Sequence, residues 1–211
     1  MKLSQRIVRG MVRALLRPFL ICEVRGRENI PASGPAIIVS NHVEWLEPPL
    51  IGSYCGHWVH FVAKVQLLHY PVLGRIIRWA EVVPLDRSAG VAETRQMMVK
   101  AGELLERGLL VCLFPEGRRS RKPGLQQGHS GPVSLAVRAG VPLIPVGISG
   151  TDKVNFRRLP WEHRARVVLN IGRQFTLPAG GDKGSRQAST SLMMQEIARL
   201  LPQEYRGQYG D

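Results

Sequence analysis

The tightest limit on how this chain can fold comes from short apolar runs that break off into polar residues. Ala36–Ser40, preceded by Gly34 and Pro35, is a strand suited to burial on both faces, and it runs directly into Asn41 and His42. Leu109–Phe114 is a second strongly apolar strand, ending at Pro115. Pro142–Ile148 is a third, which Pro142 and Pro145 mark as an irregular or edge element. Shorter strands are expected at Cys22–Arg25, Trp58–Ala63, Val82–Leu85 and Arg164–Ile171. Helical patterns lie between them. They run from Pro48 to His57, within Gln66–Ile77 around Pro71 and Gly74, over Glu93–Arg107 closed by Gly108, and over Val133–Ala139 closed by Gly140. A last helix, Ser185–Leu200, follows a Gly-rich loop at 180–184 that does not match a nucleotide-phosphate loop. Strands alternating with helices predict an α/β domain with a mostly parallel or mixed central sheet and flanking helices. The 211 residues suffice for one substantial core. Residues 22–211 are therefore expected to form a single domain, preceded over 1–21 by an amphipathic helical segment.

Open α/β sheets place ligands beyond the carboxyl ends of their strands, and the residues able to do chemistry cluster there. After the first apolar run come His42 and, five residues on, Glu47. If a turn and a first helical turn intervene, that carboxylate can return to the imidazole. A carboxylate on one ring nitrogen leaves the other free to take a proton, and offsets the charge that forms. Glu44 competes for the same role. After the second run come Glu116, Gly117, Arg118, Arg119, Ser120, Arg121 and Lys122. Clustered guanidinium forks suit phosphate oxygens, and Glu116 would hold an arginine in place rather than touch phosphate. Arg87, after Val83–Asp86, can add to such a site or pair with a neighbour such as Asp86. Val141, Pro142 and Pro145 carry no ionisable group, so they can only shape a wall or groove, or belong to the core.

Taken in this order, the four segments resemble the glycerolipid acyltransferase family, whose best-known bacterial members are 1-acylglycerol-3-phosphate acyltransferases. Asn41-His42 and position 47 are similar to its Asn-His-x4-Asp motif. Leu85-Asp86-Arg87 and Phe114–Ser120 are similar to its second and third motifs, and Val141-Pro142 with Pro145-Val146 to its fourth. The resemblance covers about residues 22–175. It implies that His42 is a general base partnered by Glu47, and acceptor-phosphate roles for Arg87, Glu116 and Arg119, with Gly117 and Arg118 of the same loop counted in that site. Val141, Pro142 and Pro145 would line the acyl groove. The implied reaction passes a fatty acyl group from acyl-CoA or acyl carrier protein to the free hydroxyl, sn-2, of 1-acyl-glycerol-3-phosphate, with no cofactor and no metal. Two positions depart from the pattern: Glu47 stands where Asp is usual, and Arg118 where Thr is usual. They leave open another lysophospholipid or polar lysolipid as acceptor, or a lipid-binding homologue without turnover.

Lys and Arg number 29 against 16 Asp and Glu, a formal charge of +13. Such a surplus favours polyanions, among them an anionic bilayer and either acidic acyl donor. A nucleic-acid role is not expected, because the aromatic residues do not interleave with the basic ones. In the first 21 residues Ile7, Met11, Val12, Leu15, Leu16, Phe19 and Leu20 recur at helical spacing. Arg6, Arg9, Arg13 and Arg17 follow another side. This helix caps the domain or, with its arginines on anionic headgroups and Phe19 at the interface, lies on a membrane. No run reaches the ~18 apolar residues of a spanning helix, and the charged N-terminus does not suggest a secretory signal. The expected location is the cytoplasmic face of the cell membrane, peripheral or monotopic. Cys22, Cys55 and Cys112 form no CxxC pair and read as reduced thiols.

Overall fold

The computed structural model describes residues 2–64, 83–85, 91–157, 164–178 and 182–210. Helix α1 (Leu3–Leu16) leads into strand β1 (Leu20–Arg25). Then follow β2 (Ala36–Ser40), α2 (Glu47–Tyr54), β3 (Val59–Lys64), β4 (Val83–Leu85) and α3 (Val91–Glu106). The chain continues through β5 (Leu110–Leu113), α4 (Gly131–Ala139), β6 (Leu143–Ser149), β7 (Ala165–Ile171) and α5 (Lys183–Arg199). The described strands form one sheet in the order β1-β7-β6-β2-β5-β3-β4. Every neighbouring pair is parallel except β6 and β7, so the sheet is mixed. The helix expected within Gln66–Ile77 lies outside the described residues.

Strand alternation divides the core between the two faces of this sheet. Ile37 and Val39 of β2, with Val111 and Leu113 of β5, pack against Met97, Leu104, Leu135 and Met193 from α3, α4 and α5. Ala36 and Ile38, with Leu110 and Cys112, pack against Leu16 of α1 and Leu50 and Ile51 of α2. A strand covered on both faces has no polar face, which is why β2, β5 and β6 are buried along their whole length.

Strand β6 is not the edge element that its prolines suggest. It lies inside the sheet between β7 and β2. Leu143 donates to the Phe175 carbonyl on the β7 side, so Pro145, two residues on, directs its missing N–H to that same side. The regular β6–β7 ladder starts only at Val146. The proline ring fits because position 172 is glycine: a Cβ there would lie 2.8 Å from Pro145 Cγ.

Helix α1 also turns out differently from the expectation that its arginines meet a membrane. Arg9 is buried and donates to the Ser53 and Gly56 carbonyls at the end of α2. Arg13 donates to the same Ser53 carbonyl and sits over the Tyr54 ring. The last carbonyls of a helix have no intrahelical partner and carry its negative dipole end, so two guanidinium groups dock there. That fixes the rotation of α1. Leu3, Ile7, Met11 and Leu15, spaced four apart, face outward and are 54–73% exposed. Arg6 and Arg17 are also exposed.

Candidate active site

Strands β2, β5 and β6 run parallel, so the residues that follow them emerge at one pole of the sheet. Asn41 fixes the first of these exits: its amide donates to the Ile148 carbonyl and its Oδ1 accepts the Ile148 N–H, both at 2.8 Å. That double bond to β6 sets the backbone on which His42 stands. The His42 N–H donates to Glu116 Oε1 at 2.8 Å, and its carbonyl accepts the Ser120 N–H at 2.8 Å. Its ring stacks on Phe114 with centroids 4.2 Å apart.

Glu47 opens α2, followed at once by Pro48 and Pro49. This short turn carries the carboxylate back to the histidine, with Glu47 Oε2 3.0 Å from His42 Nδ1. The Glu47 side chain is fully buried and that of His42 is 16% exposed. With Nδ1 committed to the carboxylate, Nε2 is the ring nitrogen available for proton transfer. The Glu44 N–H lies 2.9 Å from both Glu47 oxygens, and the Thr151 hydroxyl donates to Oε1 at 2.6 Å. Glu44 thus contributes its backbone, not a rival carboxylate.

Among the described residues Glu116 binds backbone amides and clamps no arginine. Its two oxygens accept the backbone N–H groups of His42 and Gln126, the second at 3.0 Å, so it staples the histidine loop to its own. Burial raises its carboxyl above the ordinary value, and the two N–H donors work against that rise. Arg121 donates its N–H to the Val43 carbonyl and holds a left-handed backbone, φ 60°. Together these bonds place Gly117, Arg118 and Arg119 beside the histidine loop, with both arginine side chains exposed. Arg87 lies outside the described residues. Val141 and Pro142 stand before β6, at the far end of that strand from Ile148, and Val141 is buried in the core. Pro145 pairs with Val39 inside the sheet. The structure brings none of these three to the histidine.

Two further features belong to the site: Thr151, and the contact of Phe19 with Phe156 and Trp45. Thr151 follows β6 as His42 follows β2, and its place after a strand end was the available signal. Trp45, between His42 and Glu47, is 52% exposed. It packs on Phe156 at 5.3 Å, and Phe156 packs on Phe19 at 5.0 Å. No sequence spacing joins those three rings. The cysteines offer no nucleophile: burial pushes Cys22 and Cys55 up to about 12, and Cys112 well above its ordinary value.

A buried carboxylate on a histidine beside exposed arginines, at the carboxyl ends of a mixed sheet, can draw a proton from a hydroxyl held next to an anionic group. The family described as Acyltransferase matches residues 21–149, and the chain belongs to that family, in its glycerolipid acyltransferase branch. A 1-acyl-sn-glycerol-3-phosphate acyltransferase from Brassica napus chloroplasts is 33% identical over 65% of this chain and 40% of its own length. The chain thus spans less than half of that plant relative. A lyso-ornithine lipid O-acyltransferase of Pseudomonas aeruginosa is 31% identical over 97% of this chain and 78% of its own. Among solved structures, the 1-acyl-sn-glycerophosphate (LPA) acyltransferase PlsC of Thermotoga maritima is 25% identical, with TM-score 0.71 over 93% of this chain and 79% of that one.

Proposed function

We propose that this chain acylates the free sn-2 hydroxyl of 1-acyl-glycerol-3-phosphate at a membrane surface, drawing on acyl-CoA or acyl carrier protein and producing phosphatidic acid. The observation that carries the reading is the buried Glu47 on His42 Nδ1, on a loop hydrogen-bonded to the one that bears Arg118 and Arg119. Nε2 removes the hydroxyl proton as the oxygen attacks the thioester carbonyl. Glu47 offsets the imidazolium charge. The tetrahedral intermediate collapses with cleavage of the C–S bond, and the imidazolium returns its proton to the leaving thiolate. Arg118 and Arg119, with Arg87, hold the acceptor phosphate by charge-assisted hydrogen bonds. Residues 22–211 act as one catalytic unit.

The membrane part of the reading rests on the outward apolar stripe of α1 and on the aromatic trio beside the histidine. Among the described residues no helix is long and apolar enough to cross a membrane. Such a stripe, flanked by Arg6 and Arg17, suits a helix lying in an anionic interface. The side that offers acyl-CoA and acyl carrier protein is the cytoplasmic one. A second acceptor, a polar lysolipid of the lyso-ornithine kind, is favoured by the likeness to the Pseudomonas enzyme, which at 31% identity extends over 97% of this chain.

The test is purified protein with a panel of lysolipids and both donors in parallel, together with His42→Ala. Lysophosphatidic acid should be the preferred acceptor, and His42→Ala should abolish transfer while leaving the fold intact. Activity confined to acceptors without a terminal phosphate would replace the first reading by the second. Full activity of His42→Ala would remove the mechanism.

A further inference from the structure

Glu47 has a partner outside the motifs that mark the site. Thr151 is 1% exposed, and its hydroxyl donates to Glu47 Oε1 at 2.6 Å across 104 positions of sequence. The turn that brings it there requires glycine at position 150. Gly150 has φ +87°, and a Cβ on it would lie 2.1 Å from the Arg166 carbonyl oxygen. The Gly150 N–H donates to the Tyr205 hydroxyl at 3.0 Å, and that hydroxyl donates to Asp152 Oδ1. Tyr205 belongs to the short 3-10 turn Gln203–Tyr205 beyond α5 and is 2% exposed. Burial and Asp152 hold its phenol well above the ordinary range, so it stays protonated and keeps donating. The Tyr205 carbonyl also accepts the Leu125 N–H at 3.0 Å, next to Gln126, whose N–H binds Glu116.

We propose that Thr151 is the positioning residue for the catalytic carboxylate, and that Tyr205 holds Thr151 in place from the C-terminal turn. A Glu side chain has one more rotatable bond than Asp, and so more freedom to lose when it must address one ring nitrogen. The Glu44 N–H restrains it from one side and the Thr151 hydroxyl from another. With both in place, Oε2 is held facing His42 Nδ1. Without the hydroxyl, a buried anion loses a donor and the carboxylate can rotate away from the imidazole. Tyr205 fixes the residues on either side of Thr151, Gly150 and Asp152, so the hydroxyl is aimed through a turn with both shoulders tied down. The backbone carbonyl of the same residue holds the strap beside Glu116, so the phenol and the main chain of Tyr205 between them brace both loops that meet at His42.

This inference rests on the reading of His42 and Glu47 as the catalytic pair. The experiment measures kcat and KM for Thr151→Val, Thr151→Ser and Tyr205→Phe beside His42→Ala. Thr151→Val keeps the shape and removes the hydroxyl. It should lower kcat about tenfold, the worth of one hydrogen bond to a charged group, with KM for both substrates unchanged. Thr151→Ser should recover most of the loss, and Tyr205→Phe should show a smaller fall of the same kind. Wild-type kcat in Thr151→Val overturns the proposal, as does a Ser variant no better than Val. If Thr151→Val does not fold, the Ser and Phe variants decide: a fall in Tyr205→Phe confined to kcat supports the proposal, and an unchanged kcat refutes it. An inactive His42→Ala beside a fully active Thr151→Val removes only this inference, whereas an active His42→Ala removes the mechanism itself.

Discussion

Replacing Glu47 by Asp, the residue usual in the family, should slow this enzyme. Asp is shorter by one carbon–carbon bond, about 1.5 Å. The backbone cannot follow that retraction, because Glu47 begins α2 and is succeeded by Pro48 and Pro49, whose rings lock φ. The contact to His42 Nδ1, now 3.0 Å, would open to about 4.5 Å. The contact to Thr151, now 2.6 Å, would open to about 4 Å. Neither is then a hydrogen bond. A hydrogen bond to a charged group contributes about 1.5–3 kcal/mol. The bond to the imidazole strengthens as positive charge forms on the ring, so much of that loss falls on the transition state. About 2 kcal/mol corresponds to roughly thirtyfold in kcat, with KM little changed because neither residue touches the acceptor phosphate. Steady-state release of the donor thiol measures it, with Glu47→Gln as the control that keeps the length and discards the charge. Equal or faster turnover by the Asp variant would refute the reasoning, since it would show that the turn and helix start can adapt to the shorter side chain.

Three further outcomes are expected. Ile7→Asp with Met11→Asp removes half of the outward stripe on α1 and should weaken flotation with phosphatidylglycerol vesicles at least tenfold, each lost side chain having contributed about 1 kcal/mol. Arg9→Gln should instead lower Tm and leave flotation intact, and the opposite pattern would restore the arginines as membrane ligands. Glu116 gives a pH signature. Its carboxyl sits above the unfolded value, so the folded state holds the proton more tightly, and this contribution is full at low pH and lost as pH rises through the raised value. The Tm of Glu116→Gln should therefore gain on the wild type as pH climbs out of the carboxylate range. A difference that moves toward the wild type would contradict it.

Much of the sheet was legible because apolar runs bounded by glycine and proline are local signals. Strands β2 and β5 are buried on both faces, and the sequence shows this as runs with no alternation. The place of β6 was not legible from the sequence. The rule that keeps proline at sheet edges assumes a partner for every N–H, and here the ladder on that side begins one residue later, with Gly172 making room for the ring. At the site, the His42–Glu47 pair could be read because both residues lie within one turn. The place of Thr151 after a strand end is visible in the sequence, but its bond to Glu47, like that of Gln126 to Glu116, closes only when β5 and β6 align beside β2. Glu116 was assigned to an arginine from its basic neighbours in sequence, yet its oxygens face inward to backbone amides, which no charge pattern reports.

Helix α1 shows why the same pattern admits two opposite packings. Arginine has a long apolar stem and five donors, so an arginine stripe solvates headgroups or satisfies orphaned carbonyls equally well. What decides between them is whether a helix end lies within reach. Here α2 ends at Ser53–Gly56, against the flank of α1, and Arg9 and Arg13 close it. Once they turn inward, the residues opposite on the helical wheel must turn outward, and these are the apolar ones. The cost of exposing Leu3, Ile7, Met11 and Leu15 to water is then offset only where the water is replaced. The aromatic contact of Phe19 and Phe156 with Trp45 links the end of this helix to the loop that holds His42. On the membrane reading proposed above, the docking of Arg9 and Arg13 on α2 is what leaves that apolar stripe outward, on the helix whose end the three rings tie to the loop of His42.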